Sequence, residues 1–238
     1  MAVDYATEPT AASESRFDYF WNQRGEWVEE PNVRRGGESG VQRVRAANDQ
    51  VLYAKRQTGH IYRSLRYPLG RPTVLRERDA IQGLSALNVG VPKMVFCGAQ
   101  RDSQHQWRAL LVTEALDGFV EIDNWYAAGN RERYGDAIND AVLKETAQTL
   151  ARMHRGRWQH SCLYGKHVFV RIVGEGAGAR VEIALLDLEK CRQRFRAQSA
   201  ARHDLKQLRR HSSFNAAEWS KLLYFYHTAF GSVVKGLG

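Results

Sequence analysis

The stretch that decides the fold reads W-Q-H-S-C-L-Y-G-K-H-V-F-V over residues 158–170. After a charged, glycine-containing break it resumes as I-A-L-L-D-L-E-K over residues 183–190. The first piece follows a long helical pattern and ends in the apolar run His167 to Val170. The second is an apolar strand, Ile183 to Leu186, that delivers an acid, Asp187. The two runs read as a hairpin with polar groups at its ends: His160 and His167 about the first strand, Asp187 after the second. A tight loop feeding a short hairpin can aim such groups at one point. That arrangement suits metal ions and phosphates.

Working outward, 238 residues imply one domain or two closely packed lobes. A hydrophobic content of 43% is enough to fill a core. No apolar run reaches membrane-spanning length. Met1 to Arg16 is polar and acidic and lacks the basic and apolar regions of a signal peptide. The three cysteines, Cys97, Cys162 and Cys191, are unevenly spaced, which fits free thiols and a cytoplasmic chain. No Cys/His cluster has zinc-ligand spacing. The net charge of +9 points to phosphate-rich partners: nucleic acid, nucleotides or an anionic membrane face. A merely solvated basic surface accounts equally well for most of these residues.

In chain order, Met1–Ser15 is read as a loose terminus and the aromatic run from Arg16 to Trp27 as a short docked helix. Residues 32–45 place two strand-like arms about a turn built on Gly36, Gly37 and Gly40, where backbone N–H groups can approach a phosphate. A glycine hairpin is more often only a turn. Val51–Gln57 is a strand whose period two puts Val51, Tyr53 and Lys55 on one face. Lys55 there either snorkels to water or points into a cleft to meet phosphate. His60–Pro72 reads as a basic, aromatic linker broken by Pro68 and Pro72. Thr73–Leu87 has helical spacing, with Glu77 on the apolar stripe of Val74, Ile81 and Leu84. A buried acid needs a partner, and Lys55 is the natural one. Val91–Gly98 and Trp107–Leu116 are strands, and Glu114–Gly118 is a connector between lobes. Helices then dominate: Ile122–Tyr126, Asp136–Arg155, a strongly basic helical region from Lys190 to Arg210, and an aromatic helix from Glu218 to Phe230.

This order of parts is that of a protein kinase. More closely, the chain resembles the bacterial lipopolysaccharide kinase (Kdo kinase/WaaP) family, in its InaA-type branch. The carrying stretches are W-V-E-E-P-N-V-R-R-G-G-E-S-G-V-Q (27–42), L-R-Y-P-L-G-R-P-T-V-L-R-E (65–77), W-R-A-L-L-V-T-E (107–114), Q-H-S-C-L-Y-G-K-H-V-F-V (159–170) and L-D-L-E-K (186–190). The resemblance implies an α+β, two-lobed protein-kinase-like fold, with a β-rich N-lobe at 16–116 and a helical C-lobe at 117–238. It implies ATP and Mg²⁺ as cofactors. Gly36, Gly37 and Gly40 would cover the ATP phosphates, Lys55 would contact phosphate and pair with Glu77, and Glu114 to Leu116 would meet the adenine. Asp187 would hold Mg²⁺, and His160 would open the catalytic loop. His167 falls where kinases carry a metal-binding asparagine; as a poorer ligand for hard Mg²⁺ it equally suits a hydrogen-bonding role.

Two positions depart from the pattern. Cys162 stands where the family's phosphorylating members carry an aspartate, and a neutral thiol cannot accept a proton as a carboxylate does. Tyr53 is bulky where kinases prefer alanine against adenine. The first reading is therefore a phosphotransferase acting on a hydroxyl, as in a lipopolysaccharide-core sugar. It would work at the cytoplasmic face of the inner membrane, held to anionic lipid through Lys190–Arg210. The second is a pseudokinase, a nucleotide-binding stress-response or sensor module without transfer. A nucleic-acid binder ranks last, for want of a reading motif.

Overall fold

The structure is a computed structural model and describes residues 15–34 and 36–237. The loose terminus expected at Met1–Ser15 falls, Ser15 apart, outside the described residues. The chain divides into two compact units, one formed by Met1–Arg78 with Lys93–Ala115, the other by Asp79–Pro92 with Leu116–Gly238.

The first unit opens with helix α1 (Arg16–Asn22). Strands β1 (Glu26–Arg34), β2 (Gly37–Arg45), β3 (Val51–Thr58), β4 (Ile61–Ser64) and β5 (Tyr67–Pro72) follow, then the first part of helix α2 (Thr73–Ser85), whose residues from Asp79 on belong to the second unit, and β6 (Met94–Arg101) and β7 (Trp107–Glu114). Five strands form one antiparallel sheet in the order β1-β2-β3-β7-β6, so β3 is central. The Ser15 hydroxyl caps α1 by accepting from the Asp18 amide at 3.1 Å. Phe17 and Phe20, three apart and so on one helix face, pack on Val44, Leu52, Ala54, Leu110 and Val112. Arg56 follows Leu52 and Ala54 on that face of β3. Its guanidinium donates to the Phe20 carbonyl at 3.1 Å, to Gln42 Oε1 at 2.6 Å and to the Gln23 carbonyl. It thus satisfies carbonyls that a helix end leaves without partners. Burial, with the charge of Arg24, pulls its pKa down to about 10, and the group stays charged at neutral pH.

Two sequence expectations change here. The segment His60–Pro72 is a hairpin, β4 with β5, and not a linker. Its prolines sit on a two-stranded ribbon whose outer edges need no ladder donors, so they do not break it. Gly40 lies inside β2 and not in the turn. A Cβ there would come within 2.8 Å of the Trp27 ring, so glycine is required for β1 to cross closely. The turn itself rests on Gly36, at φ +74°.

The second unit contains β8 (Val120–Glu121), α3 (Ile122–Ala127), α4 (Asn130–Arg155), β9 (Trp158–Gln159), β10 (Val168–Val173), β11 (Arg180–Leu185), β12 (Arg192–Gln193), α5 (Ala197–Arg210) and α6 (Ala216–Phe230). Gly135, at φ 74° and ψ 177°, breaks α4 just before Asp136. From there the helix buries Val142, Leu143, Leu150 and Met153 completely. Asn215 and Glu218 form a capping box at the start of α6, and Glu218 also takes a bidentate contact from Arg131 at 2.6 and 3.0 Å. Strands β10 and β11 pair from Val168↔Leu185 to Val173↔Arg180, which leaves His167 and Leu186 side by side at the open end. There the Leu186 amide donates to the His167 carbonyl at 3.0 Å.

Candidate functional site

In the first unit, Lys55 points away from the Arg56 face, onto the side where α2 begins. Gln57 Oε1 fastens that helix by accepting from the Thr73 hydroxyl at 2.9 Å and the Val74 amide at 3.1 Å. One turn further on, Glu77 Oε2 lies 2.9 Å from Lys55 Nζ. The two side chains are 16% and 12% exposed, so each charge meets its partner rather than bulk water. The glycines are placed unequally. Gly36 is open to solvent in the turn, Gly37 opens β2 opposite Arg34, and Gly40 is packed as described. At the far end of β7 the Glu114 amide donates to the Lys93 carbonyl at 2.9 Å, and Glu114 Oε1 pairs with Lys93 Nζ at 2.9 Å. Just past this unit, at the start of the second, the Leu116 carbonyl accepts from the Phe119 amide at 3.1 Å. These groups of the expected adenine-binding stretch are therefore already engaged. A cavity of about 280 Å³ in this unit is lined by Trp21, Trp27, Gln42 and Arg56, not by Lys55.

In the second unit, the loop after β9 gathers His160, Cys162 and His167 beside Asp187. His160 is fully buried, so it acts by positioning rather than by touching a substrate. Its Nε2 is 2.9 Å from the Leu186 carbonyl, which can only accept, so Nε2 carries the proton. The bond ties the loop to the residue preceding Asp187. Burial holds the His160 ring neutral, with its pKa below the ordinary value. The His167 ring is sandwiched, stacked on His160 at 5.8 Å and on Tyr164 at 5.4 Å. Its Nδ1 is 2.7 Å from the Cys162 carbonyl. Its Nε2 is 3.5 Å from Asp187 Oδ2. Asp187 itself adopts a left-handed backbone, at φ 59°.

The residue that holds this loop is one the sequence reading passed over. Asp204, fully buried on α5, accepts from the His160 amide at 2.6 Å and the Ser161 amide at 3.0 Å. His154 Nε2 and His203 Nδ1 lie 3.3 and 3.0 Å from its two oxygens. Burial alone would raise its carboxyl, but the bonds from His154 and His203 and the neighbouring histidine charge hold it far below the usual range. The basic helical region expected at Lys190–Arg210 is accordingly corrected. The helix starts only at Ala197, and it buries a stripe of Ala200, Ala201, Asp204, Leu205 and Leu208. Arg202, Lys206, Arg209 and Arg210 are exposed on its other side. The available signal was Asp204 itself, the single acid between Lys190 and Arg210, on the apolar stripe.

The family model for the lipopolysaccharide kinase (Kdo/WaaP) family matches residues 18–226. The chain belongs to this family. Protein InaA of Escherichia coli (strain K12) is 41% identical over 218 residues, 91% of this chain and 98% of that one. Among solved structures, WaaP in complex with acyl carrier protein superposes with a TM-score of 0.68 at 18% identity, covering 90% of this chain and 83% of that one. The amicoumacin kinase hAmiN, in complex with AMP-PNP, Ca²⁺ and Ami, gives a TM-score of 0.54 at 13% identity, covering 88% and 74%. The fold is kinase-like, α+β, and the family is one of phosphotransferases.

Within this Kdo/WaaP family chain, Cys162 is half-buried and its sulfur accepts a hydrogen bond from Lys190 Nζ at 3.5 Å. The divalent ion that the family implies can be tested against the residues present. The Cys162 carbonyl can only accept, so His167 Nδ1 carries a proton, and Nε2 faces the Asp187 carboxylate. An imidazole nitrogen and a carboxylate oxygen 3.5 Å apart are both groups that can ligate a divalent ion. Among the described residues no group of three or more His, Cys, Asp or Glu could hold a metal. A Mg²⁺-type ion keeps waters and takes phosphate oxygens as its other ligands, so it does not require an all-protein cage. Asp187 and His167 are the residues here that would hold such an ion.

The buried histidine makes the second unit acid-sensitive. The folded His160 ring resists a proton that the unfolded chain accepts near its ordinary pKa of 6.5. Its contribution to stability is thus complete above about pH 6.5 and is lost as pH falls toward the lowered folded value. Asp204, also lowered, adds a further loss only below its ordinary pKa of 3.8. Melting temperature should therefore fall as the pH is lowered from about 7 to 5, and His160→Gln should flatten that slope. A parent whose melting temperature is constant across this range would contradict it.

Proposed function

We propose that the chain transfers the γ-phosphoryl group of ATP–Mg²⁺ to a hydroxyl of an anionic sugar of the lipopolysaccharide-core type, at the cytoplasmic face of a membrane. The observation that carries this reading is the shielded Lys55–Glu77 pair on the central strand of a chain of this family. A lysine held there by a carboxylate is oriented to meet nucleotide phosphates as a directed point charge. The hAmiN complex, which contains AMP-PNP and Ca²⁺, supports a nucleotide with a divalent ion. When bound, the ion would neutralise charge on the phosphates. Asp187 and His167 would hold it, His160 would fix the backbone beside Asp187, and Asp204 would fix the loop carrying Cys162. The hydroxyl proton leaves late in a loose transition state, so a thiol in place of the usual carboxylate is compatible with transfer.

Arg192, Arg194 and Arg196 are exposed. Their segment is fastened to the strand before His160 by the pairing of Arg192 with Gln159 and by the Arg194 amide donating to the Arg157 carbonyl at 2.7 Å. A backbone so fastened keeps three exposed arginines near the loop, which favours an acceptor bearing phosphate or carboxylate groups. A pseudokinase is the second reading, favoured by the one observation that Cys162 replaces the aspartate.

Lys55→Met tests the nucleotide site. ATP–Mg²⁺ at about a hundredfold its Kd should stabilise the parent by ~2.7 kcal/mol, and most of that gain should vanish in the mutant. An equal ligand-induced shift in both would remove Lys55 from the site. No shift in the parent would remove nucleotide binding altogether. Mass analysis after incubation with ATP–Mg²⁺ and lipopolysaccharide-core acceptors then identifies the product.

A further inference from the structure

The β4–β5 hairpin is a separate two-stranded ribbon, outside the five-stranded sheet. Near its turn Leu65 is 104% exposed and Leu69 is 87% exposed, values that no core role explains. Single exposed leucines are ordinary, but here two stand almost entirely in solvent within five residues, with Arg63 and Arg66 exposed beside them. The ribbon behind them is held in shape. Ser64 pairs with Tyr67, Tyr62 with Arg71 and Ile61 with Pro72. The Arg71 guanidinium lies 4.8 Å from the Tyr67 ring centroid and donates to the Tyr62 hydroxyl at 3.2 Å, and Arg76 lies 4.6 Å from the Tyr62 ring. No acidic residue occurs in the sequence between Asp49 and Glu77.

We infer that this hairpin is a membrane-interface anchor that seats on an anionic lipid bilayer, with Leu65 and Leu69 entering the headgroup–acyl boundary. The tyrosines and arginines form a collar of the kind that favours the interface, an apolar body ending in a polar or charged group. The arginines supply attraction to anionic headgroups, and the leucines supply the apolar insertion that charge alone does not. A bilayer fits better than an acidic protein. Leucines standing free at a ribbon's turn need a partner with a matching pocket in the protein case, whereas the acyl boundary accepts them without one. The anchor is independent of phosphoryl transfer, and it is distinct from the exposed basic residues of α5.

Vesicle flotation of the full chain tests it. The vesicles are phosphatidylcholine alone, or phosphatidylcholine with roughly three tenths phosphatidylglycerol. The parent should float with the mixed vesicles, release as salt rises, and bind neutral vesicles weakly. Leu65→Ser with Leu69→Ser should lower partitioning onto the mixed vesicles by about tenfold or more. Its melting temperature should match the parent's, because neither leucine is buried. Arg202→Gln with Lys206→Gln and Arg209→Gln should retain most of the binding. The inference is overturned if the double leucine variant partitions like the parent. It is equally overturned if the α5 variant alone abolishes flotation, or if the parent stays unbound, as it would were the hairpin's occupant an acidic protein.

Discussion

Asp204→Ala is expected to cost about 3–5 kcal/mol of stability, the scale of removing one partner from a buried charge network. The substitution strips the acceptor from two amides, those of His160 and Ser161, and leaves His154 and His203 facing a cavity. Each orphaned buried donor costs about 1–3 kcal/mol. The His160 and Ser161 amides should also exchange with solvent far faster, a local readout that does not depend on two-state unfolding of a two-unit chain. Asp204→Asn keeps one acceptor oxygen and should fall between the parent and alanine. If Asp204→Ala melts within about 1 kcal/mol of the parent, with both amides still protected, the loop is held by something else. In the catalytic reading the same change should depress turnover more than nucleotide affinity, because Lys55 and Glu77 lie in the other unit.

The second large effect concerns Asp187 and Cys162. Asp187→Asn should abolish the Mg²⁺ dependence of ATP binding, since it removes the carboxylate that lies 3.5 Å from His167 Nε2. Nucleotide binding indifferent to Mg²⁺ in the parent would make Asp187 a turn residue only. Cys162 then separates enzyme from pseudokinase. If the sulfur acts as a base, Cys162→Ala lowers transfer by roughly 10²–10⁴. If it is a bystander, transfer changes little. If the site is inert, the parent shows no transfer to any lipopolysaccharide-core acceptor, and Cys162→Asp restores some. The expected result is the bystander: loose phosphoryl transfer asks little of a base, so positioning and charge neutralisation carry the rate. Loss of turnover in Cys162→Ala with ATP affinity retained would instead assign the proton to the thiol.

Much of this arrangement was legible residue by residue. The period-two strand put Lys55 opposite Arg56, and the helical period put Glu77 on a buried stripe, so each charge had to find the other. The apolar runs on either side of residues 174–179 marked the β10–β11 hairpin, and the acid after the second run marked Asp187. All of these are local signals, carried by spacing within one element. What the spacing could not express was decided by partners far away in the chain. Asp204 looks like one acid in a basic run until the helix turns it onto amides 43 and 44 residues earlier. Ser161 and Asp187 sit at φ 73° and 59°, left-handed conformations that neither residue would choose alone. They are held there by bonds from outside their own segments, Asp204 to the Ser161 amide and His160 to the Leu186 carbonyl. Likewise β4–β5 hid behind two prolines because a ribbon edge tolerates them, a fact about neighbours and not about composition. Sequence thus determined which groups are present and which face of each element bears them. Only tertiary structure determined which of them are buried, since burial and hydrogen-bond satisfaction are properties of contacts between elements.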